Sequence, residues 1–365
     1  MKIAFIITDI TTGGGIERVT QNLSAQFLKK GIEITIVSCF RANQRPIFTF
    51  PESVTFEYLN NTEYVSTLPP LKRISLIFKA YSKLRKYLDS NKFDLIISQA
   101  FLPAFLLFFS KNKISCPIIV CEHFKYNLYG KILTLIRNHI YSSMDKVVTL
   151  TKNDENRYRD VKIEAVTIPN MISFPIQEHK YNGNRIISVG RLHPQKGYDL
   201  LIQALPDVFK EYPEWNIDIY GEGEDRKVLQ KMIDERNLAS HINLRGYTEN
   251  ISHELSNSDI CVVSSRYEGF PMSITEALAL GTPVVSFDCP EGPATLLEGG
   301  AGVLVPPENI VALTEGIKKM IQSPTTREEC RKNGYKSISR FSPDNITRKW
   351  FDLFEKIGLN REKEI

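Results

Sequence analysis

At 365 residues the chain is longer than one hydrophobic core usually serves, and two domains of roughly 150 to 200 residues are the natural division. Its 42% hydrophobic and 24% charged residues are those of an ordinary globular protein and exclude the disordered, fibrous and membrane-spanning classes. The net charge of +4 hides an asymmetry: residues 1–170 hold 23 Lys and Arg against 14 acids, a net +9, and the remainder holds 23 against 28, a net −5. One half therefore suits an anionic surface or substrate.

The opening stretch, MKIAFIITDITTGGG, places one lysine and a short apolar run before Asp9 and three glycines. That is a buried first strand, without the apolar length and cleavage site of a signal peptide. Val- and Ile-rich runs follow at 33–39, 54–58, 94–98, 117–121, 146–150 and 165–168, with helix-length segments between most of them. Such alternation predicts a parallel sheet covered on both faces. The stretch PNMISFPIQEHKYNGN then carries two prolines, a glycine and no clear period, as a linker does.

The pattern restarts, with strands expected at 185–189, 216–220, 242–244, 260–264 and 283–287 and helices such as 199–211 and 225–237. Two α/β domains are expected, doubly wound, over 1–170 and 171–341. A C-terminal helix from about 342 to 365, bearing Trp350, Phe351 and Phe354, is expected to pack back on the first. No apolar run approaches the ~20 residues that span a bilayer; the longest, 101–109, contains Pro103. Six scattered cysteines form no C-x-x-C pair, which fits buried thiols in a reducing cytosol.

Gly13, Gly14 and Gly15 lie between the first strand and a helix beginning near Glu17, where main-chain amides can approach a phosphate or sugar. A turn that only lets strand and helix pack closely is the other reading. A nicotinamide dinucleotide site would want G-x-G-x-x-G and an acid closing the second strand, which instead ends Ser38-Cys39-Phe40. In the second domain, GRLHPQKG puts Arg191 and Lys196 at the carboxyl end of its first strand. Arg grips phosphate oxygens through two parallel hydrogen bonds and Lys adds a mobile point charge, so the pair suits a diphosphate.

The most informative stretch is SSRYEGFPMSITEALALGTPVVSFDCPEGP. A strand leads through a loop into a helix starting around Pro271 and closed by Gly281. The amides of Met272, Ser273 and Ile274 would form a positive helix end for a phosphate. Glu268 before that helix and Glu276 within it would then accept hydrogen bonds from hydroxyls on either side of a diphosphate. Asp288 and Glu291 can contact a ligand or belong to a Pro/Gly turn.

Together, Glu268 and Glu276 in YEGFPMSITEALALGTPVV, the GRLHPQKG loop, YGEGED (220–225), RGY (245–247) and the GGG loop resemble the family-four retaining glycosyltransferases, in the family's order and over most of the chain. DCPEGP is similar to sequences in the polysaccharide- and lipopolysaccharide-building branch. The resemblance implies a GT-B fold, two Rossmann-like domains facing a central cleft, with a nucleotide diphosphate sugar as co-substrate, UDP-linked by first guess, and no required metal or other cofactor. Arg191 and Lys196 would neutralise the diphosphate, Glu276 would hold the ribose, and Glu268 the donor-sugar hydroxyls. The backbone of Arg245, Gly246 and Tyr247 would hold the base. Gly14, Gly15, Gly269, Phe270, Met272, Ser273 and Ile274 complete the implied donor site. His123, after Cys121-Glu122 at a strand end, matches a histidine beside the transferred sugar, and the catalytic set becomes His123, Glu268, Arg191 and Lys196.

In LKRISLIFKAYSKLRKYL, Ile74, Ile77, Phe78, Tyr81, Leu84 and Leu88 share one helical face and Lys72, Lys79, Lys83 and Lys86 the other. The apolar face is expected on the sheet, leaving a basic stripe that either is solvated or rests on anionic lipid. A glycan or lipid-linked acceptor and a cytoplasmic protein, peripheral at the inner face of the membrane, follow as expectations. No motif indicates nucleic acid. An epimerase or glycogen-synthase-like enzyme of the same fold, and a non-catalytic nucleotide-sugar sensor, are the rival readings.

Overall fold

The Ile- and Val-rich runs form strands because β-branched side chains suit a pleated surface packed from both sides. The structure, a computed structural model, describes residues 1–65, 67–176, 183–290 and 292–359. The chain divides into two units, Met1–Met171 with Pro343–Ile365, and Ile172–Ser342.

The N-terminal unit runs β1 (Lys2–Asp9), α1 (Gly15–Leu28), β2 (Glu33–Phe40), β3 (Thr55–Tyr58), α2 (Pro70–Ser90), β4 (Leu95–Gln99), α3 (Phe101–Ser110), β5 (Ile118–Cys121), α4 (Lys131–Tyr141), β6 (Lys146–Thr149), α5 (Lys152–Asp160) and β7 (Ala165–Thr167). Among the described residues its seven strands are parallel, in the order β3-β2-β1-β4-β5-β6-β7. The order reverses between β1 and β4. Burial on α2 differs from the expected face: Leu76, Ala80, Leu84 and Leu88, four residues apart, are buried, while Ile74 and Phe78 are exposed. That stripe shares one core with Val37 and Ile96 of the sheet, which leaves Ile74 and Phe78 on the outer side of the helix.

The C-terminal unit runs β8 (Arg185–Val189), α6 (Tyr198–Glu211), β9 (Asn216–Tyr220), α7 (Arg226–Glu235), β10 (Ile242–Gly246), α8 (Ile251–Ser256), β11 (Ile260–Val263), α9 (Met272–Ala279), β12 (Val284–Phe287), α10 (Pro293–Leu296), β13 (Gly302–Val305), α11 (Ile310–Gln322) and α12 (Pro324–Ile338). Six parallel strands follow the order β10-β9-β8-β11-β12-β13, reversing between β8 and β11. Asn309 and Ser323 cap α11 and α12 by accepting the amides of Ala312 and Thr326 at 3.0 and 3.1 Å, each cap being worth about 1 kcal/mol.

The last helix, α13 (Pro343–Lys356), belongs to the N-terminal unit. Trp350, Phe351 and Phe354 surround the ring of Phe27 from α1 with centroids 6.0, 6.1 and 5.5 Å away. Edge-on aromatic packing of this kind adds about 0.5–1.5 kcal/mol per pair beyond the buried area.

Candidate active site

Ligands of open parallel sheets gather outside the carboxyl ends of the strands, where the strand order reverses. In the C-terminal unit that place lies between β8 and β11. The loop after β8 carries Arg191 and Lys196, and the loop after β11 carries Glu268. The two loops are locked together. Arg266 donates its amide to the Gln195 carbonyl at 2.8 Å, Gln195 Nε2 donates to the Tyr267 carbonyl at 2.9 Å, and Ser264 Oγ to the Lys196 carbonyl at 2.9 Å. Gly197, at φ +63°, passes so near the Ser264 carbonyl that any Cβ would overlap it. The Arg266 guanidinium grips both carboxylate oxygens of Asp199 at 2.8 and 2.7 Å, the Pro194 carbonyl at 2.7 Å, and Glu308 at 3.1 Å. Arg266 beside it holds the Asp199 carboxyl below the usual carboxylate range.

The Tyr220–Asp225 segment braces the same loop from its other side. Leu192 donates its amide to Glu222 at 3.0 Å and accepts the amide of Asp225 at 3.1 Å. A Cβ on Gly221 would overlap the carbonyl of Gly190, and one on Gly223 that of Leu192. The glycines of YGEGED thus serve close backbone contact.

Held this way, Lys196 Nζ donates to Glu268 Oε1 at 2.6 Å, and Ser265 Oγ donates to the same oxygen at 2.5 Å. Sequence spacing gave these two residues separate ligand contacts; the fold makes them a pair with Glu268 buried. Arg191 differs, being exposed and making no ion pair with a described residue. Glu276 is buried on the second turn of α9, close enough to Cys261 to add its charge to the burial that pushes that thiol up to about 12.

Two expectations about the helix start change. Pro271 precedes α9 as its N-cap instead of occupying the first turn. The Ile274 amide is already spent on the Pro271 carbonyl at 3.1 Å, and Thr275 shares that carbonyl at 3.3 Å. Ser273 is buried at the same helix start. Phe270 is buried, its ring 5.4 Å from that of Phe341, while Gly269 and Met272 are half-buried. At the end of β10, Arg245 donates Nε to Asp218 at 2.7 Å. Gly246, at φ +78°, accepts the Gly221 amide at 2.8 Å, which commits its carbonyl within the fold, and Tyr247 stands exposed. Asp288 is exposed beyond β12, and Glu291 lies outside the described residues.

In the N-terminal unit His123 follows β5 on an anchored turn. Glu122 is buried and accepts from Tyr141 at 2.9 Å, Tyr158 at 3.4 Å and the Phe124 amide at 3.1 Å. The fully buried Arg137 lies over the rings of Tyr126 and Tyr158 at 4.4 and 5.0 Å. Burial raises the Glu122 carboxyl, with Arg137 opposing that shift. His123 Nε2 lies 2.5 Å from Gln99 Oε1 at the end of β4. With the oxygen accepting, Nε2 carries a hydrogen. Its surroundings push the imidazole down to about 4 by desolvation, although the side chain keeps some accessible surface. Sequence reasoning missed Gln99, since nothing in ISQAF marks it as a partner for a residue 24 positions on.

The glycine loop also departs from expectation. Gly14 caps α1, and a Cβ there would run into the Glu17 carboxylate, whereas Gly15 faces open space and needs no glycine for steric reasons. Glu17 folds back over the helix start, accepts from Thr12 Oγ1 at 2.6 Å and takes hydrogen bonds from the main chain of Gly14 and Glu17. Of the glycine amides expected to meet a phosphate, that of Gly14 thus faces the chain's own carboxyl, which burial raises.

Two family models together match residues 13–337: Glycosyltransferase Family 4 over residues 13–174 and Glycosyl transferases group 1 over residues 172–337. An uncharacterized glycosyltransferase of Haemophilus influenzae is 29% identical over 332 residues, covering 88% of this chain and 91% of its own. The amylovoran biosynthesis glycosyltransferase AmsD of Erwinia amylovora is 26% identical, covering 96% and 99%. Among solved structures, the pneumococcal O-GlcNAc transferase GtfA, crystallised with UDP and GlcNAc, superposes with a TM-score of 0.82 at 17% identity, over 98% of this chain and 99% of its own.

Proposed function

The chain belongs to the family 4 glycosyltransferases of GT-B fold, and on that premise we propose that it moves a hexose or N-acetylhexosamine from a UDP-sugar to a glycan or lipid-linked acceptor, with retention and without a divalent metal. It is a nucleotide-sugar glycosyltransferase of polysaccharide synthesis, the class to which the amylovoran enzyme AmsD belongs. The observation that carries the finer reading is Arg191: an exposed cation without an ion-pair partner among described residues, on a loop braced from both sides at the strand-order reversal.

Breaking the bond between the anomeric carbon and the diphosphate leaves positive charge on the sugar and an electron pair on the leaving oxygen. Arg191 meets that developing charge, and Lys196, shared with Glu268, swings part of its own toward it. Preorganised donors aimed at a leaving group are worth about 10²–10³ in rate each. These fixed cations take the part a metal plays elsewhere. The acceptor oxygen bonds the anomeric carbon on the face the diphosphate leaves, and its proton passes to a leaving phosphate oxygen. Glu268 and Glu276 receive hydroxyls of sugar and ribose, and the neutral ring of His123 is assigned to the transferred sugar. The acceptor is proposed at the inner face of the cytoplasmic membrane.

A thermal-shift screen over nucleotide sugars tests this, because a ligand stabilises by RT ln(1 + [L]/Kd). UDP-sugars should raise the melting temperature, with or without a chelator, and Arg191→Ala should abolish the rise. An undiminished rise in Arg191→Ala means the donor lies elsewhere.

A further inference from the structure

Residues 70–144 hold 12 Lys and Arg but only three acids, Asp89, Asp94 and Glu122, so this stretch alone carries the +9 of the N-terminal half. None of the three acids stands free on its surface. Asp89 pairs with Lys113 at 3.2 Å, Asp94 accepts the Lys2 amide at 2.6 Å, and Glu122 is interior. The segment comprises α2, α3 and α4, which share one core over one face of the sheet. Their outer sides are continuous. Tyr81 of α2 lies 6.3 Å from Phe109 of α3, and Phe108 lies 5.6 Å from His139 of α4.

Both α2 and α4 follow a strand and lead into the next parallel one, so each begins at the carboxyl end of the sheet, the end that bears His123. Over the first three turns of α2 and the first two of α4, several large apolar side chains point outward. Leu71 is 82% exposed and Phe78 67% on α2, and Ile132 is 77% and Leu135 70% on α4, with Ile74 and Ile136 beside them. Scattered exposed leucines need no explanation, but a concentration on the opening turns of the two helices that flank α3 does. Lys72, Lys79 and Lys131 are exposed among them.

We propose that the starts of α2 and α4 form a lipid-docking surface. The aliphatic side chains enter the headgroup boundary of an anionic bilayer, the lysines lie on its phosphates, and the His123 end of the sheet is presented to an acceptor held in that bilayer. This rests on the reading of a lipid-linked acceptor. Apolar side chains interleaved with lysines bind such an interface by area and charge together. Charge also argues against a second copy as the occupant, since that would set lysines against lysines with no acid between them.

The test is co-sedimentation of the full chain, without donor, with vesicles of phosphatidylcholine alone or with roughly 30 mol% phosphatidylglycerol. The chain should bind only the anionic vesicles. Leu135→Ser/Ile136→Ser should lower the partition about tenfold, and Lys72→Glu/Lys79→Glu/Lys131→Glu should lower it further. Both variants alter exposed side chains, so their melting temperatures should match that of the parent. No binding, or undiminished binding by the serine variant, overturns the surface, as does a dimer in light scattering that the serine variant breaks. The UDP-sugar thermal shift, read on the same samples, separates the two readings: shift kept with binding lost sinks only the surface, while shift lost sinks the transferase reading.

Discussion

Around Arg191 charge is abundant and braced, whereas around His123 it is withdrawn. Lys196 meets Glu268 and Arg266 meets Asp199, on loops that hydrogen-bond to each other. In the N-terminal unit, a neutral imidazole meets the carbonyl of a buried amide, and the nearby carboxyl of Glu122 is engaged by tyrosines and raised by burial. A diphosphate demands fixed positive charge, and fixed charge demands counter-ions and clamps to hold it. A sugar hydroxyl and a lipid-borne acceptor demand neutral polar groups and accessible apolar surface. The contrast is the one that the two proposed ligands, a diphosphate donor and a lipid-borne acceptor, would require.

Three experiments press on that contrast, in falling order of expected effect. Gly197→Ala removes the close passage against Ser264 and adds a side chain at positive φ. The loop bearing Arg191 and Lys196 must then move, and an ångström-scale shift of a positioning loop costs about 10²-fold in kcat/KM. Steady-state kinetics near the parent value would show that the bracing is not needed.

His123 comes next. Its folded pKa lies below the unfolded value, so the unfolded chain binds the extra proton between about pH 6.5 and 4. Its contribution to stability is therefore complete above that window and lost as pH falls through it, with a slope of at most about 1.4 kcal/mol per pH unit. Urea midpoints should fall more steeply with acid for the parent than for His123→Gln. Parallel curves would mean that the imidazole is not desolvated. The smallest effect is expected for Asp199→Asn. Arg266 keeps the Pro194 carbonyl and Glu308, so UDP-sugar affinity should weaken by about two- to fivefold, the worth of one partly exposed pair. A hundredfold loss by calorimetry would show that the clamp and the ligand site are one unit.

Most of the fold was legible because buried parallel strands advertise themselves as short β-branched runs. Lys2–Asp9, Arg185–Val189 and Asn216–Tyr220 need little more than their composition. β13 escaped notice because GVLV is only four residues, set between glycines and a double proline, at the sheet edge. The face of α2 was misread because helical periodicity cannot tell Ile74 from Leu76 when the chain supplies apolar residues on both sides. At the candidate site the sequence pointed to the right loops, since glycines, cations and acids cluster there. It could not show that Lys196 would pair with Glu268 across 72 positions, nor that Glu17 would cover its own helix start. Such pairings are decided by tertiary approach and leave no local trace.

The return of α13 to the N-terminal unit makes the other unit an insertion. Its entry and exit are neighbours, with the Ile172 amide donating to the Phe341 carbonyl at 3.0 Å. During synthesis the ribosome releases Phe27 about 320 residues before Trp350, Phe351 and Phe354. For most of translation, then, the N-terminal half waits with an aromatic socket uncovered, while the inserted half, contiguous in sequence, is free to fold first.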